Sequence, residues 1–299
     1  MAAPSNKKVF ITGIGGFTGF HLEKEMTSLG YEVYGSTFTK PNKKNHFRCD
    51  ILKKKEFATI IGEMKPDFLI HLAAISFVAS EDISQIYNTN VIGTLSIFEV
   101  LEELNIAPKK IIIVSSAAVY GNIGTILSED MCPKPVNHYG NSKLVMENMV
   151  ANYFKKFNVI ITRPFNYTGE RQESNFLVPK IVKHFIEKKP FIELGNLDTF
   201  REYNNVKFLT KTYIKLLNSE FKSGVVNIAT GSTYAIQNIL DNLEKISGHK
   251  IEVRVNKKFV RKNEIKELKG STDKLVKLVG FDKQNLTLES TLKEMYYSK

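Results

Sequence analysis

The stretch KVFITGIGGFTGF, Lys7 to Phe20 without its first lysine, limits the fold more than any other part of the chain. A short apolar run, Val9 to Thr12, breaks at glycines. An amphipathic segment, Phe17 to Leu29, follows and stops at Gly30, and YEVYGST then reads as a second strand. Strand, tight turn, helix and strand make a βαβ unit. The alternation continues: DFLIHLAA reads as a strand, Ile83 to Leu104 as one long helix, KKIIIVSS as a buried strand, Tyr139 to Lys156 as a helix and NVIITRPFN as another strand. Such alternation implies an α/β protein with a doubly wound parallel sheet covered on both faces.

Ligands of such sheets sit outside the carboxyl ends of the strands. Chemistry is therefore sought at Gly13–Gly19, Ser36, Leu72–Ala74, Ser115-Ser116 and Pro164–Asn166. After Asn166 the rhythm becomes irregular, and VVNIAT, Val225 to Thr230, returns one strand to the sheet. The expected division is a Rossmann-type dinucleotide-binding domain over residues 1–165, with returns near 203–230, and a smaller α/β substrate lobe over most of 166–299.

Composition narrows the class. The 299 residues are 42% hydrophobic and 24% charged, as in an ordinary globular enzyme. No apolar run approaches the roughly 18 residues of a membrane span, and MAAPSNKK lacks the apolar centre of a signal peptide. Cys49 and Cys132 are far apart and read as reduced thiols of a cytoplasmic protein. The net charge of +11 reads first as a Lys-rich solvated surface and next as attraction for anionic small molecules. Nucleic acid ranks last, because the short basic runs Lys53-Lys54-Lys55 and Lys257-Lys258 carry no interleaved aromatics. His21, His46, His138 and His184 show no ligand spacing, so no metal is expected.

The turn Gly13-x-x-Gly16-x-x-Gly19 sits between the first strand and the first helix. Glycines let the backbone approach a pyrophosphate and let helix pack on strand. The N–H groups of Phe17 and Thr18 open the helix toward the anion. An acid about 20 residues on would bind the ribose 2′-OH of NAD. Here the second strand ends Gly35-Ser36-Thr37, and Lys40, Lys43 and Lys44 follow. Ser36 and Lys40 are the expected partners of a 2′-phosphate, which favours NADP(H); NAD(H) stays open if these lysines are only a solvated loop.

Tyr139 and Lys143 stand at i and i+4, on one face of a helix. A tyrosine of ordinary pKa near 10 is a poor acid or base at neutral pH; a nearby ammonium stabilises the phenolate. A serine at the preceding strand end can bond the same substrate oxygen, which makes a carbonyl/alcohol redox site.

With these motifs in order, the chain resembles an extended short-chain dehydrogenase/reductase, the class of nucleotide-sugar epimerases, dehydratases and reductases. The resemblance implies that Asp50-Ile51 contacts the adenine, that Leu72, Ala73 and Ala74 line the cofactor, and that Asn90 is structural. Ser116, four residues before Tyr120, matches the catalytic Ser/Thr, and Tyr139 and Lys143 the catalytic pair. In the 4,6-dehydratases of this class carboxyl groups follow that serine, and in reductases that epimerise C3 and C5 a cysteine does. Ala117 and Ala118 stand there instead. Alanine moves no proton, so hydride chemistry at one carbon remains.

RPFNYTGERQ, from Arg163, GNLDTFREY, from Gly195, and RKNEIKELKGS, from Arg261, resemble stretches of GDP-4-keto-6-deoxymannose reductases. That resemblance implies substrate contacts from Asn166, Lys180, Arg201 and Arg261 beside Ser116 and Tyr139. Glu170-Arg171 and Lys262 depart from the pattern. The expected activity is NADPH-dependent reduction of the C4 keto group of a GDP- or dTDP-linked 4-keto-6-deoxy sugar. Alternatives are a UDP-hexose 4-epimerase retaining NAD and a non-catalytic cofactor sensor. The apolar residues around Ile83–Leu104 and Tyr139–Lys156 fit burial in the monomer or the helix-pair homodimer of the class.

Overall fold

Strands Lys8–Thr12 (β1), Glu32–Thr37 (β2), His46–Arg48 (β3), Phe68–His71 (β4), Lys110–Val114 (β5), Val159–Pro164 (β6) and Gly224–Ile228 (β7) form one sheet in the order β7-β6-β5-β4-β1-β2-β3. The registered pairs from β3 through β6 are all parallel. The order reverses between β1 and β4, and ligands of such sheets bind outside the carboxyl ends at that point. The computed structural model describes residues 7–76, 82–124, 126–260, 266–280 and 287–298.

The chain forms two compact units. The first comprises Met1–Gly121, Cys132–Arg163 and Thr210–Val226; the second comprises Asn122–Met131, Pro164–Leu209 and Asn227–Lys299. The return to the first unit thus begins at Thr210, and residues 122–131 belong to the second.

In the first unit every residue of β4 and β6 is buried, which explains their unbroken apolar runs: both faces are covered. Helices Lys54–Met64, Gly93–Glu103 and His138–Ala151 supply Phe57, Ile61, Ile97, Phe98, Leu101, Met146 and Val150 against Leu69, Ile111, Ile113, Val159 and Ile161. Each such side chain contributes roughly 1.5–3 kcal/mol through burial. Lys110 opens β5 with a charge, yet it is buried. Its Nζ donates to the carbonyls of Leu216 (3.2 Å), in the last turn of the helix Val206–Leu217, and of Ser219, just beyond that helix, where cationic donors are favourable.

Two helices differ from expectation. Ile83–Leu104 is an α-turn, Ile83–Tyr87, a π-helical stretch, Asn88–Ile92, and a helix, Gly93–Glu103. The wide turn aims Asn90 out of the helix: its Oδ1 accepts Ile75 N–H (2.9 Å) and its Nδ2 donates to Ser142 Oγ (3.0 Å). The second helix ends at Ala151 rather than Lys156. Beyond it the chain turns back so that Tyr153 stacks on Phe98, ring centroids 4.4 Å apart, with Phe157 alongside at 6.0 Å.

The second unit has a four-stranded sheet ordered Tyr234–Ala235, Phe200–Arg201, Glu267–Gly270, Ile126–Leu127, and two strand pairs, Tyr167–Thr168 with Asn204–Asn205 and Phe191–Leu194 with Glu252–Val255. Helices Leu177–Ile186, Ile236–Ser247 and Leu288–Tyr297 pack Ile181, Phe185, Ile239, Leu243 and Leu292 into its core. Among the described residues no helix is long and apolar enough to cross a membrane.

Candidate active site

The glycine turn lies at the carboxyl end of β1. Gly13 has φ +71°, and a Cβ there would stand 2.9 Å from Ala73 N; one on Gly19 would stand 2.5 Å from Gly13 O. The first glycine permits the turn and the third permits the helix Phe17–Ser28 to close on it. Gly15 and Gly16 are exposed, so bare backbone faces outward beside a helix N-terminus. That cradle, which any side chain would fill, fits a pyrophosphate.

Leu72, Ala73 and Ala74 follow β4 and are half-buried. Leu72 N–H donates to Thr12 O (3.2 Å) and Ala73 N–H to Thr12 Oγ1 (3.1 Å). The neighbouring bonds form a chain. Thr94 donates to Asn90 O (2.8 Å), so it accepts from His71 Nε2 (2.9 Å), and His71 Nδ1 accepts from Thr12 (2.7 Å). Burial, helped by the Lys143 charge, pushes the His71 pKa down to about 3. A neutral imidazole with its proton on Nε2 therefore ties β1 to the Asn90 helix.

At the end of β2 the structure separates the expected residues. Ser36 is buried, and its carbonyl accepts Ile14 N–H (3.1 Å). Thr37, on the opposite face of the strand, reaches the turn: a Cβ on Gly15 would stand 2.9 Å from its Oγ1. Of the two hydroxyls at this strand end, the strand's alternation puts Thr37, not Ser36, on the face that meets the turn. Lys40 is exposed, whereas Lys43 is withdrawn, donating to the Glu23 carboxylate at 2.7 Å. Asp50 accepts Leu52 N–H (3.0 Å), and Ile51 is buried.

The third cluster stands on the helix His138–Ala151. Asn137 caps it, its Oδ1 accepting Gly140 N–H at 2.8 Å. Tyr139 and Lys143 are buried one turn apart. Gly140 packs on the turn after Ser116: a Cβ there would stand 2.7 Å from Ala118 O. The two serines differ. Ser115 is buried and donates to Glu147, whereas Ser116 is half-buried and its Oγ accepts Ala118 N–H at 3.1 Å. Lys143 Nζ donates to Val114 O (2.9 Å). Burial pushes its pKa down to about 8, with the Glu147 charge opposing the fall.

Glu147 continues the Tyr139–Lys143 stripe by one more turn, a signal that the sequence carries at the next i+4 position. Arg163 grips it with Nε to Oε1 (3.0 Å) and Nη2 to Oε2 (2.6 Å), and Arg163 Nη1 donates to Tyr120 OH (2.9 Å). Burial alone would lower the Arg163 pKa; the carboxylate reverses this and holds it above its ordinary value.

Of the expected substrate residues, Asn166, Lys180 and Arg201 lie in the second unit, and Arg261 lies outside the described residues. Asn166 is exposed, its carbonyl accepting Asn204 N–H at 2.9 Å. Lys180 Nζ donates to Glu193 O (2.8 Å) and stands 4.7 Å over the Phe259 ring. Arg201 Nη1 donates to Phe200 O (2.8 Å). Next to Arg201, the fully buried Glu202 gathers this region: it accepts Gly270 N–H (2.8 Å), Thr230 N–H (2.7 Å) and Asn204 Nδ2 (3.0 Å). Burial raises its pKa against these donors. Among the described residues no cluster of His, Cys, Asp and Glu is placed to hold a metal ion.

The family model for GDP-mannose 4,6 dehydratase matches residues 10–295. GDP-6-deoxy-D-talose 4-dehydrogenase of Aggregatibacter actinomycetemcomitans is 34% identical over 296 residues, covering 98% of each chain. GDP-6-deoxy-D-mannose reductase of Pseudomonas aeruginosa is 25% identical over 299 residues, covering 96% of this chain and 95% of the relative. The solved structure of RMD from Pseudomonas aeruginosa, complexed with NADPH, superposes with a TM-score of 0.85 at 24% identity over 97% of both chains. The chain therefore belongs to the GDP-mannose 4,6 dehydratase family and is a nucleotide-sugar-modifying enzyme of NAD(P)-dependent oxidoreductase type.

Proposed function

We propose that this enzyme reduces the C4 keto group of a nucleotide-diphospho-4-keto-6-deoxyhexose with NADP(H), in deoxysugar precursor biosynthesis. Both curated relatives above are named for GDP-linked 6-deoxy sugars, one as a 4-dehydrogenase and one as a reductase; this favours GDP over dTDP. The carrying observation is that Tyr139 and Lys143 are buried on one helix face, against a turn that continues from Ser116 with Ala117 and Ala118. The turn can orient an oxygen but cannot move a second proton, so ketone reduction fits and dehydration does not.

The glycine cradle and the helix N-terminus would hold the pyrophosphate, and the bound nicotinamide would supply the hydride for sugar C4. Tyr139 gives its phenolic proton to the oxygen on C4. Lys143, anchored on Val114 O, presents an ammonium that stabilises the resulting phenolate. Ser116 accepts Ala118 N–H and so keeps its own O–H for the substrate carbonyl. Within the second unit, Arg201, by its donor fork, Asn166 and Lys180 are the candidates for the nucleotide-diphosphate part that the family resemblance implies.

The test follows NADPH absorbance with freshly generated GDP- or dTDP-4-keto-6-deoxyhexose. Tyr139→Phe should lower turnover by about 10²–10⁴-fold while NADPH binding persists. Full activity in that variant would sink the assignment.

A further inference from the structure

We propose that the buried Glu147–Arg163 pair is a positioning device for the reaction: it clamps both ends of the segment 115–120 and so fixes where the Ser116 hydroxyl stands against Tyr139. The inference rests on the reductase reading above and adds two buried residues to it.

Ser116 follows β5 and opens the tight turn Ala117–Tyr120. Its Oγ accepts Ala118 N–H (3.1 Å), which sets the direction of the hydroxyl but not the place of the segment. Contacts with β6 and the helix His138–Ala151 set the place. At the start, Ser115 Oγ donates to Glu147 Oε1, and Ser115 N–H donates to Thr162 O (2.8 Å). In the middle, Ala118 O lies so close to Gly140 that a Cβ there would stand 2.7 Å away. At the end, the fully buried Tyr120 accepts Arg163 Nη1 on its OH (2.9 Å), and the guanidinium lies 4.8 Å from the centre of its ring.

The order of these contacts shows how the segment runs. From Ser115 to Ala118 its contacts step back along the helix from Glu147 to Gly140, about 10 Å at a rise of about 1.5 Å per residue. Ser116 therefore lies alongside the stretch of helix that carries Lys143, with Tyr139 one residue beyond Gly140. Lys143 itself bonds Val114 O, just before the segment (2.9 Å). The serine and the Tyr139/Lys143 stripe are thus held against each other by contacts on both sides of Ser116.

The pair suits holding. Glu147 and Arg163 are withdrawn from solvent, and Arg163 binds both carboxylate oxygens, Nε to Oε1 (3.0 Å) and Nη2 to Oε2 (2.6 Å). A planar fork on a carboxylate fixes orientation as well as distance. The carboxylate accepts from one hydroxyl and the guanidinium donates to the other, so each end of the segment is bonded to a charge, more strongly than a neutral partner would bond it. Apolar residues can often replace a buried pair without loss of stability. They could not grip two hydroxyls, and positioning gives the charges a use that stability alone does not.

The test deletes the two gripped hydroxyls, Ser115→Ala and Tyr120→Phe, singly and together, leaving Glu147 and Arg163 bonded to each other. NADPH consumption with GDP- or dTDP-4-keto-6-deoxyhexose gives kcat and KM, and hydrogen exchange of the 115–121 peptide reports the hold on the segment. A misplacement of about 1 Å can cost about 10²-fold in rate, so the double variant should lose about 10–100-fold in kcat. Its KM and NADPH affinity should stay within about twofold of wild type, and its 115–121 amides should exchange at least about tenfold faster. A merely structural role would lower Tm while the folded protein kept wild-type kcat, and that result would overturn the clamp, as would a loss confined to KM. Wild type that reduces neither sugar would sink the reductase reading by itself. Exchange then decides the clamp: unchanged protection of 115–121 in the double variant overturns it, and faster exchange confined to that peptide sustains it.

Discussion

Replacing Glu147 by Gln keeps the side chain's volume and removes its charge. Glu147 and Arg163 are 4% and 5% exposed, so the guanidinium would remain buried with Tyr120 OH as its recorded neutral partner. Breaking one side of a buried pair costs about 3–5 kcal/mol, a large share of the roughly 5–15 kcal/mol that holds a typical domain. For a unit of about 150–250 residues each kcal/mol moves Tm by about 2–4 °C, so Tm should fall by on the order of 10 °C. Urea unfolding followed by circular dichroism measures the loss. The double variant Glu147→Gln/Arg163→Met removes both charges and should recover most of it, because a buried pair replaced as a pair is often near neutral. A single variant within about 1 kcal/mol of wild type, or a double variant no better than the single one, would refute the reasoning.

Other outcomes are expected from the same geometry. Lys143 is charged below about pH 8 and neutral above it, so reductive kcat/KM should fall as pH rises through that value; a flat profile to pH 10 would contradict its role. His71 is neutral in the fold down to about pH 3 but takes a proton near 6.5 when unfolded. Its contribution to stability is thus full above 6.5 and declines as pH falls below it, and His71→Gln should flatten the slope of unfolding free energy between pH 7 and 5. Gly13→Ala forces a side chain onto a φ of +71° and should weaken NADPH binding at least about tenfold, read by NADPH fluorescence. With GDP-mannose and NADP, the wild-type enzyme should yield no 4-keto-6-deoxy product; its appearance would show that Ala117 and Ala118 do not exclude dehydration.

Local signals in the sequence carried far. The glycine turn and the Tyr139/Lys143 pair are legible because each lies within one element, where spacing fixes geometry. The choice of Ser116 over Ser115 came from resemblance, and the structure adds a reason that spacing lacks: Ser115 is taken by Glu147, 32 residues on. That Thr37 rather than Ser36 meets the glycine turn was not legible, because a strand's phase depends on what its faces touch. Glu23 and His46 meet across 23 residues, and Glu202 and Gly270 across 68; neither pair has a spacing to read. The π-helical stretch hid inside an apolar pattern that one long helix also satisfies.

The two units interleave along the chain, and this sets the order in which they can be completed during synthesis. The first unit's sheet awaits β7, which leaves the ribosome after the whole of Pro164–Leu209, a piece of the second unit. The second unit awaits Gly270, the donor to Glu202, and the helix Leu288–Tyr297. Domains usually close one after another as they emerge. Here a nascent chain stopped at Leu209 would carry both units unfinished, with β6 exposed as a sheet edge.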